Sequence, residues 1–239
     1  LGLFLYDHLG GRNILPASHG VDLTRDVAGD ALQPAYTRGF EYSACRADDA
    51  RLVVLNAMDA RQRGARILTR TRVISAQPAD GHWSIVLQDT HGRSEHIQAR
   101  ALINAAGPWV GPVLEQTIKT GNRAHMRLVK GSHIIVPKLF PHDKAYLFQN
   151  ADGRIVFAIP YEDDFTLIGT TDVDYSGDPS EAHISADEVA YLCESVSVYF
   201  RTPVTPDSVI WTYSGVRPLL DEGGAAQKVS RDYVLDLHG

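Results

Sequence analysis

Nowhere in its 239 residues does the chain carry a Gly-x-Gly-x-x-Gly turn after a strand pattern, a Walker-type loop, a His/Cys cluster at metal-ligand spacing or a Gly-x-Ser-x-Gly elbow. The first two absences exclude a complete phosphate cradle for a dinucleotide or triphosphate. The other two exclude a zinc centre and an α/β-hydrolase nucleophile, so no metal is expected. No apolar run approaches the ~20 residues that span a bilayer as a helix. Basic residues are the minority, 23 Lys and Arg against 29 Asp and Glu, and a net charge of -6 argues against nucleic acid as a general partner. The only two cysteines, Cys45 and Cys193, have neither zinc nor redox spacing and read as buried free thiols in a reducing compartment. An initiator methionine and a signal peptide are also absent. The chain opens inside an apolar helical pattern, Leu1-Gly2-Leu3-Phe4-Leu5-Tyr6, and stops just after the strand-like Tyr233-Val234-Leu235-Asp236-Leu237. The expectation is an internal piece of a larger protein.

What is present reads as two kinds of structure. Leu1 to Leu9 is helical, and residues 10–37, with scattered Gly, Pro, Asn and Asp, read as a long surface connection. Residues 39–107 read as mixed α/β. Gly39 to Ser43 is a strand, and Asp48 or Asp49 caps a helix that Gly64 ends. Short strands follow at Arg66–Leu68, Thr71–Gln77, Trp83–Gln88, Glu95–Gln98 and Ala101–Ala105. Residues 126–172 are β-rich, with strands at Ser132–Pro137, Ala145–Gln149, Arg154–Pro160 and Phe165–Gly169, and predict an antiparallel meander. Ser185 and Glu188 form a capping box for a helix to about Phe200, with Val189, Leu192, Val196 and Tyr199 as its buried stripe. Pro203 and Pro206 stop it, and a strand over Val209–Tyr213 follows. The fold class is α/β (α+β).

Three segments carry chemistry. Ile103 to Trp109 is an apolar strand pattern ending in Ala105-Ala106-Gly107, small residues that let a backbone or cofactor come close; by itself it is equally a tight strand-to-helix turn. Val129-Lys130-Gly131-Ser132-His133 sets two titratable groups beside a glycine, and a histidine is the natural base for an alcohol at neutral pH. Alone, one histidine among ten reads as packing. Trp211 to Pro218 holds Arg217, whose guanidinium suits bidentate binding of carboxylate or phosphate and equally suits a structural ion pair. Arg231 opens the next strand pattern and could meet Arg217 across an anion.

Together these segments resemble the flavin-dependent glycerol-3-phosphate dehydrogenase family. The matching stretches run in order from Gly2–Gly10, Arg38–Ser43, Asp48–Leu52 and Leu68–Arg72 to Asn104–Val110, Lys130–His133, Ile168–Asp172, Trp211–Leu219 and Ser230–Tyr233. Each is weak alone; the ordered set is specific. The resemblance implies a fold of the D-amino-acid-oxidase type, a partial FAD-binding α/β layer interrupted by an antiparallel β-rich substrate domain with helices. Residues 1–112 would be the FAD-binding part, 113–206 the substrate (cap) domain, and 207–239 a return segment with the substrate arginines. It implies FAD as cofactor, oxidation of sn-glycerol 3-phosphate to dihydroxyacetone phosphate, electrons passed to quinone, and a cytoplasmic protein peripheral to the inner membrane.

Residue by residue, the resemblance makes His133 and Arg217 the catalytic candidates, with Arg217, Arg231 and Lys130 around the substrate. Thr71, Arg72 and Val73 match the strand passing the adenine, and Ala106, Gly107 and Trp109 match the segment along the dinucleotide. Asn104-Ala105-Ala106-Gly107 stands where relatives often carry Asn-Ala-Thr-Gly, one hydroxyl fewer. The family's glycine-rich FAD motif is missing, so the isolated chain is expected not to retain FAD and to be inactive. Alternatives are an FAD-dependent oxidase of an amino or hydroxy acid, an oxygen-using glycerol-3-phosphate oxidase, and a folded non-catalytic fragment.

Overall fold

The computed structural model describes residues 2–8, 15–119 and 126–220. Arg231 and the strand expected at Tyr233–Leu237 lie outside the described residues. The described residues divide into two compact units: residues 2–8, 18–41 and 126–220 form one, and residues 15–17 and 42–119 the other.

Among the described residues the larger unit is built on a sheet of six strands. These are β6 (Met126–Pro137), β7 (Tyr146–Gln149), β8 (Ile155–Tyr161), β9 (Phe165–Gly169), β10 (Val173–Asp174) and β11 (Trp211–Leu220). All their pairings are antiparallel, as the meander pattern predicts. The long β6 is the hub, pairing with β9, β10 and β11. β11 is longer than expected: it runs on through Ser214-Gly215-Val216-Arg217, so Arg217 lies within a ladder. Because side chains alternate across a strand, the even positions Ser132, Ile134 and Val136 of β6, Val156 and Ala158 of β8, and Thr166 and Ile168 of β9 go to one buried face.

That face is covered by α4 (Ala186–Ser197), which starts with the expected capping box: Ser185 Oγ accepts from the Glu188 amide and the Glu188 carboxylate accepts from the Ser185 amide. Leu192, Cys193 and Val196 are buried, with Val189 and Tyr199 packed alongside. Cys193 is thus a core thiol, whereas Cys45 is exposed, against the expectation that both are buried. Phe140, Tyr146, Phe148 and Phe200 form an edge-and-face cluster beside the helix, with Tyr146 edge-on to Phe200 at 5.3 Å.

Residues 18–37 are not the surface connection that their composition suggests. β1 (His19–Asp22) pairs with β2 (Arg38–Glu41), and the segment between them enters the core through Leu32, which bridges to Phe200. Backbone bonds from Gln33 to Tyr199 and from Arg201 to Ala31 close the contact. A buried backbone needs such partners, and they come from a segment remote in sequence. At the start of this unit is the short α1 (Gly2–His8).

In the smaller unit α2 (Asp49–Gln62) is capped by Asp48, whose carboxylate accepts from the Arg51 amide at 3.0 Å, and is ended by Gly64 at φ 96°. The meander β3 (Thr71–Ala79), β4 (His82–Asp89), β5 (Ser94–Ala99) packs Ala76, Ile85 and Leu87 against Ile118. A helical turn at Gly107–Trp109, the one-turn α3 (Val110–Pro112) and a wider turn over Val113–Ile118 complete the unit. The strands expected at Arg66–Leu68 and Ala101–Ala105 are not formed: neither segment has a ladder partner among the described residues, and Ile103 is 86% exposed. Apolar content suits a strand, but a strand exists only where another chain segment bonds to it.

Candidate functional site

The open face of the large sheet gathers the candidate side chains. In the β6–β11 ladder Tyr213 lies opposite His133, Gly215 opposite Gly131, and Arg217 opposite Val129. These odd positions share one face, so His133 and Arg217 are brought to the same surface. The two glycines clear the space between them. A Cβ on Gly131 would overlap Arg217 Nη2 and lie 2.7 Å from Thr170 Oγ1, whereas one on Gly215 would meet nothing within 4 Å. The guanidinium therefore lies over bare backbone two residues from His133. Opposite His133 on β9 is Gly169, and the imidazole occupies the room its missing side chain leaves. The other flank of the ring is the phenol ring of Tyr213, stacked at 4.9 Å and 9°.

Arg217 is held by the segment that follows β9. Its Nη1 is 3.0 Å from Asp172 Oδ1, and its Nη2 donates to Thr170 Oγ1 at 3.5 Å. The side chain remains 35% exposed, so it can meet an anion from solvent while one carboxylate fixes its plane. The ion pair and anion-binding readings of Arg217 thus hold together.

Lys130 lies on the opposite face. Its side chain is 10% exposed, and the ammonium sits 2.8 Å from Glu188 Oε2 while donating to the His183 carbonyl at 2.7 Å. Glu188 Oε1 accepts from Ser132 Oγ at 2.9 Å and from Thr171 Oγ1 at 2.7 Å. Burial works to raise this carboxyl, but the Lys130 ammonium, the Ser185 amide and the two hydroxyls outweigh it and draw it down to about 2. The sequence showed Glu188 only as a capping residue; nothing in its spacing marked it as the counter-ion of Lys130. Asp172 and Thr170 were visible only as members of a matching stretch.

In the smaller unit Thr71, Arg72 and Val73 open β3, an edge of its three-stranded sheet, with Arg72 exposed between two partly covered neighbours. Ala106 precedes Gly107, which has φ 56° and nothing within 4 Å of a Cβ built on it, and Trp109 is 44% exposed. Small residues, a positive φ and open space suit close approach of a dinucleotide backbone, and the residues present fit part of such a group. Among the described residues no cluster of His, Cys, Asp and Glu could hold a metal, and no helix is long and apolar enough to cross a membrane.

A sheet with an open, glycine-floored face in one unit and a small-residue turn in the other are features that suit a flavoprotein oxidoreductase. The chain belongs to the FAD-dependent oxidoreductase family, whose model matches residues 9–237. It is 49% identical over 99% of its length to a glycerol-3-phosphate dehydrogenase of Pseudomonas aeruginosa, covering 46% of that protein. It is 48% identical over 99% of its length to a D-erythritol 1-phosphate dehydrogenase of Brucella abortus, covering 48% of it. The chain spans about half the length of the curated relatives it matches. Among solved structures it is similar to the glycerol-3-phosphate dehydrogenase from Bacillus halodurans complexed with FAD, with 29% identity and a TM-score of 0.74, covering 85% of this chain and 42% of that one.

Proposed function

We propose that the whole protein oxidises the secondary hydroxyl of a small polyol phosphate, sn-glycerol 3-phosphate before others, to the ketone. The observation that carries this is the placement of an anion-ready Arg217 beside His133 on one open, glycine-floored face. The names of the two relatives near half identity support it. FAD, when bound, supplies the acceptor for the hydride that leaves C2. Thr71, Arg72, Val73, Ala106, Gly107 and Trp109 are the residues of this chain that would hold it.

His133 takes the hydroxyl proton as the C–H bond breaks, its ring kept in plane by Tyr213 and Gly169. Arg217 neutralises the substrate anion and orients the carbinol carbon. Arg231 is assigned to the same anion from its sequence match alone. Lys130 is assigned to Glu188 rather than to substrate. Quinone is the proposed electron acceptor for the bound cofactor, which would make the whole protein cytoplasmic and peripheral to the membrane.

The test is His133→Ala in the whole flavoenzyme. Turnover should fall at least 100-fold while the KM for sn-glycerol 3-phosphate changes little; unchanged turnover would remove His133 as the base. A second reading follows from the Brucella relative: the substrate is the longer D-erythritol 1-phosphate. Comparing kcat/KM for the two phosphates decides between them, and preference for an amino or hydroxy acid would defeat both. Supplying a soluble quinone analogue or oxygen to the reduced enzyme tests the acceptor.

A further inference from the structure

Glu188 has no access to the open face, yet it touches both chain segments that build that face. Four donors converge on its carboxylate: Lys130 Nζ, the Ser185 amide, Ser132 Oγ and Thr171 Oγ1. Thr171 is 1% exposed and Ser132 is fully buried. Thr171 Oγ1 also accepts from the Ser132 amide at 2.9 Å, and the Thr171 amide donates to the Ser132 carbonyl at 3.3 Å. The segments 131–133 and 170–172 are thereby clamped together at their middle residues.

The flanking residues then matter. Ser132 stands between Gly131, the floor under Arg217, and His133. Thr171 stands between Thr170 and Asp172, which hold the guanidinium. We propose that Glu188 is a positioning residue for the substrate anion site, holding Arg217 in place through Thr171 from behind the sheet. This rests on the reading of Arg217 as the anion ligand given above. A buried Lys–Glu pair is by itself weak evidence of stabilisation; here it also anchors the Thr171 hydroxyl, and the chain neighbours of Thr171 hold the partly exposed arginine.

This link is cut with least disturbance at Thr171→Val, which keeps the shape of the side chain and leaves the Lys130–Glu188 pair intact. The measurement is the Kd of dihydroxyacetone phosphate for the oxidised flavoenzyme by calorimetry, with Thr171→Ser as the hydroxyl-retaining rescue. Thr171→Val is expected to weaken binding about tenfold, and Thr171→Ser to restore it. In an Arg217→Ala background Thr171→Val should add less than twofold, because residues acting through one another are not additive. Glu188→Gln is the second variant and should weaken binding in the same direction.

Wild-type affinity in Thr171→Val, or the same tenfold loss with Arg217 already removed, overturns the proposal. So does faster amide exchange spread over the whole of β6 and β11 rather than confined to residues 170–172. If Arg217→Ala itself binds dihydroxyacetone phosphate normally, the functional reading fails and takes this inference with it, a result distinct from the others.

Discussion

Lys130→Met separates the structural and substrate-binding readings of this lysine. Methionine keeps an unbranched side chain one atom shorter and removes the charge. In the native protein the Glu188 carboxyl, ordinarily at 4.5, is drawn to about 2. At about 1.4 kcal/mol per pH unit this is about 3 kcal/mol of stability at neutral pH. The group's folded pKa is depressed, so this contribution is fully present above about pH 4.5 and is lost as the pH falls through about 2. Without Lys130 the carboxylate keeps the Ser185 amide and two hydroxyls but loses its counter-ion in a site only 8% exposed. Its folded pKa then moves upward, and ionised Glu188 becomes a burden at pH 7.

The expected loss is about 3–5 kcal/mol, the usual cost of stranding one member of a buried pair. It should shrink as the pH is lowered from 7.5 towards 5, where Glu188 can be neutralised by protonation. Urea unfolding of the flavoenzyme at several pH values measures both. The double variant Lys130→Met with Glu188→Leu should recover most of the loss. A variant less than about 1 kcal/mol weaker, or one whose deficit is independent of pH, would refute the reasoning and return Lys130 to the substrate site.

Gly131→Ala places a Cβ 2.7 Å from Thr170 Oγ1 and 3.1 Å from the Thr171 carbonyl, on top of the Arg217 guanidinium. The KM for sn-glycerol 3-phosphate should rise at least about tenfold, roughly the 1.4 kcal/mol of one displaced charge-assisted contact; steady-state kinetics showing a wild-type KM would mean that Arg217 is seated elsewhere. Leu32→Ala should cost about 2–5 kcal/mol in urea unfolding because the side chain is 5% exposed in the core. A loss of a few tenths would instead suit the surface connection that its neighbourhood suggests in sequence.

The antiparallel meander, the capping box at Ser185 and the glycine stop after α2 were legible because each is a local device whose signal lies within a few residues. The three chemical segments were legible as candidates, since a lysine and histidine beside a glycine, or an arginine before a proline, are visible in one dimension. The reach of β11 past Tyr213 was not, because Ser214-Gly215 has little strand preference of its own until β6 is there to bond it. Nor was the burial of Leu32, whose partner Phe200 is distant in the chain.

By itself the sequence determined which candidate groups the protein owns for its chemistry: an imidazole in His133, a guanidinium in Arg217, and glycines where a side chain would obstruct. Alternation along a strand also meant that Lys130 and His133 could not share a face if β6 formed. Only the tertiary structure decided which face meets solvent and which meets α4, and so which of these two is closed into an ion pair. Burial and pairing are properties of a residue's surroundings. For Lys130, Asp172 and Glu188 those surroundings come from segments that the sequence separates and the sheet unites.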